Sequence, residues 1–417
     1  MSPRGRGPST AGKDRSRAGG LKQGTKAFPS MSPEWGHVGQ AELVAALTIL
    51  IGGKIFLSYP ASITERALNS GWLAATIGAG VAALGTWVLI SLMNRFPDYS
   101  LARVSTELAG RYLGTLMNLL LSVFFLVVAA LILRESAETL IIGILPLTPL
   151  SVLVMTMLIV VAYGAYLGIE AVSRVCFLLG PWLLAGLIII FLGVARFYDF
   201  SRLLPVLSQP PLELTVNGVT RSSLYVEVVA IAFLYPSIRN KKKIFGSAMT
   251  SLGLSWVLIA GTPALVVSAF GVIGAARTSF PMYYMARLIE FGRFVQRVEA
   301  VFVFLWFFTA GLKVTVAFYV AAVAVGETLH LPNYRPLVPA MAILLYTVAF
   351  LPPSYVATAG FEANVFRNFG GLLGFGAPLI LWVIALATGK RQEGAGPAEG
   401  KNRAGGGRGR GAKADGG

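Results

Sequence analysis

A lysine directly after two glycines interrupts a largely apolar run from Leu43 to Pro60, in the order Leu50-Ile51-Gly52-Gly53-Lys54-Ile55-Phe56. An unpaired lysine in hydrocarbon costs about 2.5–3.5 kcal/mol on insertion scales, so Lys54 needs a partner or a cavity. Two readings fit. In one, Gly52 and Gly53 are a close helix contact and the Lys54 stem reaches for the membrane edge. In the other, the helix is discontinuous, because glycine is a poor helix former, and the freed N–H groups of the second half-helix face a ligand. Such an end carries partial positive charge and suits an anion. On that reading the backbone around Gly52, Gly53 and Lys54 receives the carboxylate of an amino-acid-like ligand.

The other apolar segments hold few charges, and each is a functional candidate because an isolated charge in hydrocarbon is costly. They are Arg134, Glu135 and Glu138 in one segment, Glu227 in a second and Lys313 in a third. Arg134 and Glu138 are four apart and can pair on one helix face, which is a structural role. Glu227 and Lys313 have no neighbour in sequence; either can meet Lys54 or each other across a bundle, and the sequence does not choose. Together with Glu135 they are the candidates for ion coupling or for a switch. Tyr225 and Glu227 sit in the polar stretch Ser222-Ser223-Leu224-Tyr225-Val226-Glu227 and join Gly52, Gly53 and Lys54 as the candidate ligand-binding set.

Nothing points to an enzyme. His37 and His330 are the only histidines, Cys176 is the only cysteine, and neither metal-ligand spacing nor a phosphate-binding Gly-x-x-x-x-Gly-Lys-Ser/Thr occurs. No metal or cofactor is expected, and Cys176 reads as a small buried apolar residue.

The elements that must hold these residues are membrane helices. Of 417 residues 55% are hydrophobic and 13% charged, against about 25% charged in soluble domains. The pattern predicts an all-α polytopic membrane protein with about ten spans, near 41–60, 72–93, 116–144, 149–168, 175–195, 218–236, 247–273, 297–325, 336–352 and 370–388. Residues 37–388 form the expected bundle. The net charge of +16 is concentrated in the flanks: residues 1–35 hold seven Lys/Arg against two acids, and 389–417 hold seven against three. Both are rich in Gly, Ser and Pro without apolar periodicity. They read as disordered basic cytoplasmic tails, 1–36 and 389–417, that touch anionic lipid rather than nucleic acid. No cleavable signal is expected, so the first span acts as an uncleaved anchor. Arg239 with Lys241-Lys242-Lys243 is the strongest orientation signal and places both termini inside.

Pro205, Pro210 and Pro211 make 196–217 an external loop. Segment 277–296 alternates apolar and charged residues and reads either as a short helix lidding the outer mouth or as a loop on headgroups. Ten spans divide five plus five, and the first span of each half is disturbed, at Gly52–Lys54 and at Ser222–Glu227. Matching interruptions of this kind point to an inverted-repeat transporter site.

With these residues in view the chain resembles the spore germination permease family, the B subunits of GerA-type germinant receptors, within the amino acid–polyamine–organocation superfamily. The resemblance spans about 37–388. It is most specific from Phe280-Pro281 through Ile289-Glu290-Phe291-Gly292-Arg293-Phe294-Val295-Gln296-Arg297-Val298-Glu299-Ala300 to Trp306 and Lys313. Gly52-Gly53 through Pro60 and Glu227 with Pro236 match more weakly, and Lys54 departs from the pattern. The resemblance implies a LeuT-like 5+5 inverted repeat in the spore inner membrane, sensing a germinant that is usually an amino acid, with A-type and C-type partner subunits. A proton-coupled secondary amino-acid transporter and a structural channel subunit with a vestigial pocket are the alternatives.

Overall fold

The structure, a computed structural model, describes residues 37–289 and 298–392. The tail before His37, the tail beyond Gln392 and residues 290–297, which include part of the expected mouth segment and of the family-like signature, lie outside the described residues. The described chain is helical throughout: α1 (Gln40–Gly52), α2 (Tyr59–Ala67), α3 (Gly71–Met93), α4 (Leu101–Gly143), α5 (Leu150–Leu167), α6 (Ile169–Gly193), α7 (Pro211–Thr220), α8 (Ala230–Leu234), α9 (Ile244–Arg277), α10 (Pro281–Arg287), α11 (Val298–Thr328), α12 (Leu337–Ala349), α13 (Tyr355–Phe361) and α14 (Arg367–Thr388).

Ten uninterrupted spans are not what the chain forms. Among the described residues seven helices are long and apolar enough to cross a membrane, or eight if the bent pair Pro211–Leu224 and Val226–Ser237, which meet at 42°, is one span. The first expected span is split into α1, a 3-10 turn Gly53–Phe56 and α2. The sixth is split into α7, the 3-10 turns Arg221–Leu224 and Val226–Val229, and α8. Both breaks fall where glycines or polar residues deprive the helix of propensity, as expected of a discontinuous helix.

Three boundaries differ from the sequence expectation, each for a physical reason. The sixth segment starts at Pro211 rather than 218, because proline is welcome at the first helical position, where its missing N–H would have no intrahelical partner. The third runs from Leu101 because a bend at Gly110 (φ +81°) joins a segment of mixed polarity, residues 101–109, to the apolar run. The tenth begins at Tyr355, well before 370, because a π-helical turn Glu362–Phe366 carries the chain through polar residues that hydropathy rejects. In the mouth segment, α10 is a short helix with Met282 and Met285 fully covered and Tyr284 and Arg287 exposed, packed on α9, α11 and the Gly53–Phe56 turn.

The core lies along α4 and α11, which pack on each other and contribute buried small residues such as Ala129, Ala130, Ala321 and Ala322. In lipid no hydrophobic force separates inside from outside, so close approach of small residues and interhelical hydrogen bonds do the sorting. Ser122 Oγ donates to the Ala321 carbonyl at 2.9 Å across this contact. The outer surface is apolar, with Ile159, Ile189, Ile343 and Leu372 each more than half exposed, as lipid-facing positions should be. The unwound sixth segment lies between α3 and α14. Gly374 permits the approach on the α14 side: a Cβ there would sit 1.9 Å from Val226 Cγ2.

Candidate functional site

A break in a helix weakens the backbone pairing of its carbonyls, and three carbonyls at the two breaks accept from a cationic side chain. The Leu50 carbonyl, at the end of α1, accepts from Lys313 Nζ on α11. The Leu224 carbonyl accepts from Lys54 Nζ at 2.6 Å, and the Ser223 carbonyl accepts from Arg367 Nη1 at 3.1 Å. These half-helix carboxyl ends carry partial negative charge, so tethered ammonium and guanidinium groups stand where a coupling cation would otherwise be attracted.

Glu227 binds two of the three cations together. Its Oε1 accepts from Lys54 at 2.9 Å and from Lys313 at 3.1 Å, and its Oε2 accepts from Lys54 at 2.7 Å. None of the three residues is more than 1% exposed. One carboxylate thereby joins the first break, the sixth break and α11. Both alternatives left open by the sequence are realised: Glu227 meets Lys54 and Lys313 at once, and Lys54 does not reach for the membrane edge.

A second polar layer sits beside this cluster. Arg367, at the start of α14, pairs with Glu362 in the π-helical turn. Ser58, just after the first break, donates to Glu135 on α4 at 3.0 and 3.2 Å, and the Glu135 carboxyl faces Glu362. Arg134 and Glu138 pair within α4 at 2.8 Å, as their spacing predicts, with Arg134 also over the Phe350 ring.

The remaining sequence candidates are placed differently. Tyr225 is buried in the sixth break, but its hydroxyl donates to the Ala75 carbonyl on α3 at 3.0 Å. Gly53 faces the Lys313 and Thr309 side chains, where a Cβ would meet atoms at 3.2 Å, and Gly52 faces Leu258 at 3.0 Å. Both glycines line an apolar groove of about 330 Å3 between α1, α6 and α9. Cys176 is a buried free thiol. Among the described residues no group of His, Cys, Asp and Glu is arranged to hold a metal ion.

Sequence reasoning missed Arg221, Glu362 and Arg367, all under 8% exposed. Arg221 lies inside the expected span 218–236, so a count of its charges finds it. Glu362 and Arg367 fell before the expected start at 370, and their five-residue spacing is the signal for a pair across a π turn.

Comparison with known proteins adds a family and a fold. Residues 38–355 match a family described as spore germination protein. The chain is 23% identical over 361 residues to spore germination protein KB of Bacillus subtilis (strain 168), covering 84% of this chain and 95% of that protein. It is 26% identical over 305 residues to spore germination protein A2 of the same organism, covering 71% and 81%. Among solved structures it resembles Mhp1, a nucleobase-cation-symport-1 family transporter in a closed conformation with bromovinylhydantoin bound. The TM-score is 0.55 at 12% identity, covering 84% of this chain and 92% of that one. That likeness shows a transporter-type, LeuT-like fold.

Proposed function

Because the chain belongs to the spore germination protein family, we propose that it is the germinant-sensing subunit of a spore germination receptor, binding a small nutrient, an amino acid in the first instance, at its paired breaks. The observation that carries this reading is the threefold bonding of Glu227, which holds both breaks and α11 together. Any ligand that displaces one of these elements must remake bonds in the other two, which is what converts binding into a signal. The ammonium groups on the Leu50 and Leu224 carbonyls further support sensing without an inorganic coupling cation. The receptor sits in the spore inner membrane with both termini inside and assembles with A-type and C-type subunits. Ligand contacts at the Gly52–Lys54 backbone and at Tyr225, with Glu227, Lys313 and Glu135 as the switch, complete the proposal.

The test is thermal unfolding of the purified full chain in nanodiscs with each of the twenty L-amino acids. A sensor is stabilised by at least one of them, by about 2.7 kcal/mol at a hundredfold excess over Kd, and this shift persists when sodium is replaced by choline. No shift with any of them overturns the reading. Radiolabelled uptake of the stabilising compound into proteoliposomes then separates sensing from transport, since accumulation without partner subunits identifies a transporter.

A further inference from the structure

The buried ionisable residues of the described chain number five cations, Lys54, Arg134, Arg221, Lys313 and Arg367, against four carboxylates, Glu135, Glu138, Glu227 and Glu362. Glu227 serves both lysines, Glu138 serves Arg134 and Glu362 serves Arg367. Glu135 is bonded to Ser58 and faces another carboxylate. That leaves Arg221. It is 4% exposed, and its guanidinium makes no hydrogen bond or ion pair among the described residues. The groups that act on it electrostatically are Arg66 and Arg367, both of its own sign, and the phenol of Tyr59, whose hydroxyl donates to the Ile259 carbonyl.

A guanidinium held in this way is expensive. Arginine stays charged, so it cannot escape by losing its proton, and burying it beside like charges without a counter-ion is strongly unfavourable. The position is nonetheless fixed by packing: the Arg221 backbone lies against α3 at Gly78, where a Cβ would fall 2.8 Å from the Arg221 carbonyl carbon. Arg221 opens the 3-10 turn that ends at Leu224, three residues before Glu227, so whatever binds its guanidinium acts on the same break that Lys54 caps.

We propose that Arg221 is the anion-binding point of this protein, and that its missing counter-ion is the carboxylate of the small ligand. This rests on the sensing reading for the size and origin of the ligand and adds its chemical class. It also moves the carboxylate away from the Gly52–Gly53 backbone, which lines an apolar groove, and across to the sixth break. Planar guanidinium matches carboxylate with two parallel hydrogen bonds, a geometry an ammonium cannot offer. Inorganic phosphate shares that chemistry.

The experiment is thermal unfolding of the full chain in nanodiscs, for wild type, Arg221→Gln and Arg221→Lys, with four probes: L-amino acids, the matching L-amino acid amides, acetate and inorganic phosphate. An acid that stabilises wild type is expected to bind Arg221→Gln at least about tenfold more weakly, with Arg221→Lys between them, and its amide is expected to give no shift. Without ligand, Arg221→Gln is expected to unfold at the same temperature as wild type or higher, because it removes an unpaired buried charge. A lowered unfolding temperature without ligand would mark the guanidinium as structural and overturn the proposal. So would an amide as effective as its acid, an acid that binds Arg221→Gln as well as wild type, or no shift with any anion, which would mean water alone solvates Arg221. The two readings fail separately. If acetate or phosphate stabilises wild type in an Arg221-dependent way while no amino acid does, the anion site stands and amino-acid sensing falls.

Discussion

The Arg134–Glu138 pair and the Lys54–Glu227–Lys313 cluster are both buried ion pairs at the heart of the bundle, and they are built on different principles. The first joins two residues one turn apart on α4, with Glu138 Oε2 left without a partner. The helix itself brings the two together, and the bond survives any rigid motion of α4. The second joins residues from three elements separated by 173 and 86 positions in sequence. Nothing local brings those groups together, so their bonds exist only in one arrangement of the breaks and α11. A local pair stabilises an element. A cluster spread over three elements stabilises one state of the molecule, which is what a switch requires.

The strongest way to break this comparison is to remove Glu227. Glu227→Gln leaves two buried ammonium groups without a counter-ion and is expected to cost about 3–5 kcal/mol in thermal or denaturant unfolding. Lys54→Met is expected to cost less, about 1–3 kcal/mol, because the Lys313–Glu227 pair that remains is neutral and the main loss is the bond to the Leu224 carbonyl. Equal costs would show that the excess positive charge of the cluster does not matter. Of similar size is Glu138→Gln, expected at about 1–3 kcal/mol because buried Arg134 keeps only the carboxamide and the Phe350 ring as partners, with ligand-induced shifts unchanged because α4 keeps its place. A loss of ligand response there would remove the distinction between local and distributed pairs.

The smallest effect is expected at a third kind of ion pair, on the surface. Lys241 donates to Asp98 at 2.8 Å outside the spans, and this hydrogen bond holds the Asp98 carboxyl below its usual range. A depressed carboxylate contributes stability above its unfolded pKa, near 3.9, and loses it as pH falls through the folded value. Asp98→Asn should therefore cost less than about 1 kcal/mol at neutral pH, and the difference from wild type should shrink below about pH 4 and at high salt. The Glu227 cluster, shielded from solvent, should hardly respond to salt. Unfolding measured against pH and salt for both variants checks this.

Much of the fold was legible in the sequence because membrane burial imposes a simple rule on composition. The helices at 71–93, 150–167 and 244–277 begin and end within four residues of their expected limits, and the one at 169–193 starts six residues early, as apolar runs bounded by polar residues should. The breaks were legible for the same reason in reverse: Gly52-Gly53-Lys54 and Ser222–Glu227 are residues a continuous apolar helix has no use for. The π turn at Glu362–Phe366 was not, since hydropathy reads Glu362, Asn364 and the following Arg367 as loop. A helix that supplies its own ion pair hides that charge from lipid.

The sequence by itself determined that Lys54, Arg134, Glu138, Glu227 and Lys313 needed partners, since each of these intramembrane charges carries a cost that does not depend on the fold. It also determined that the Arg134–Glu138 bond would form, because 3.6 residues per turn settles that at any site on a helix. The tertiary structure alone decided that one carboxylate would serve two lysines, that Tyr225 would turn to α3, and that Arg221 would be left without a counter-ion. Those outcomes depend on which elements meet, and pairing across 173 residues is set by the packing of whole helices, about which the spacing of single charges carries no information.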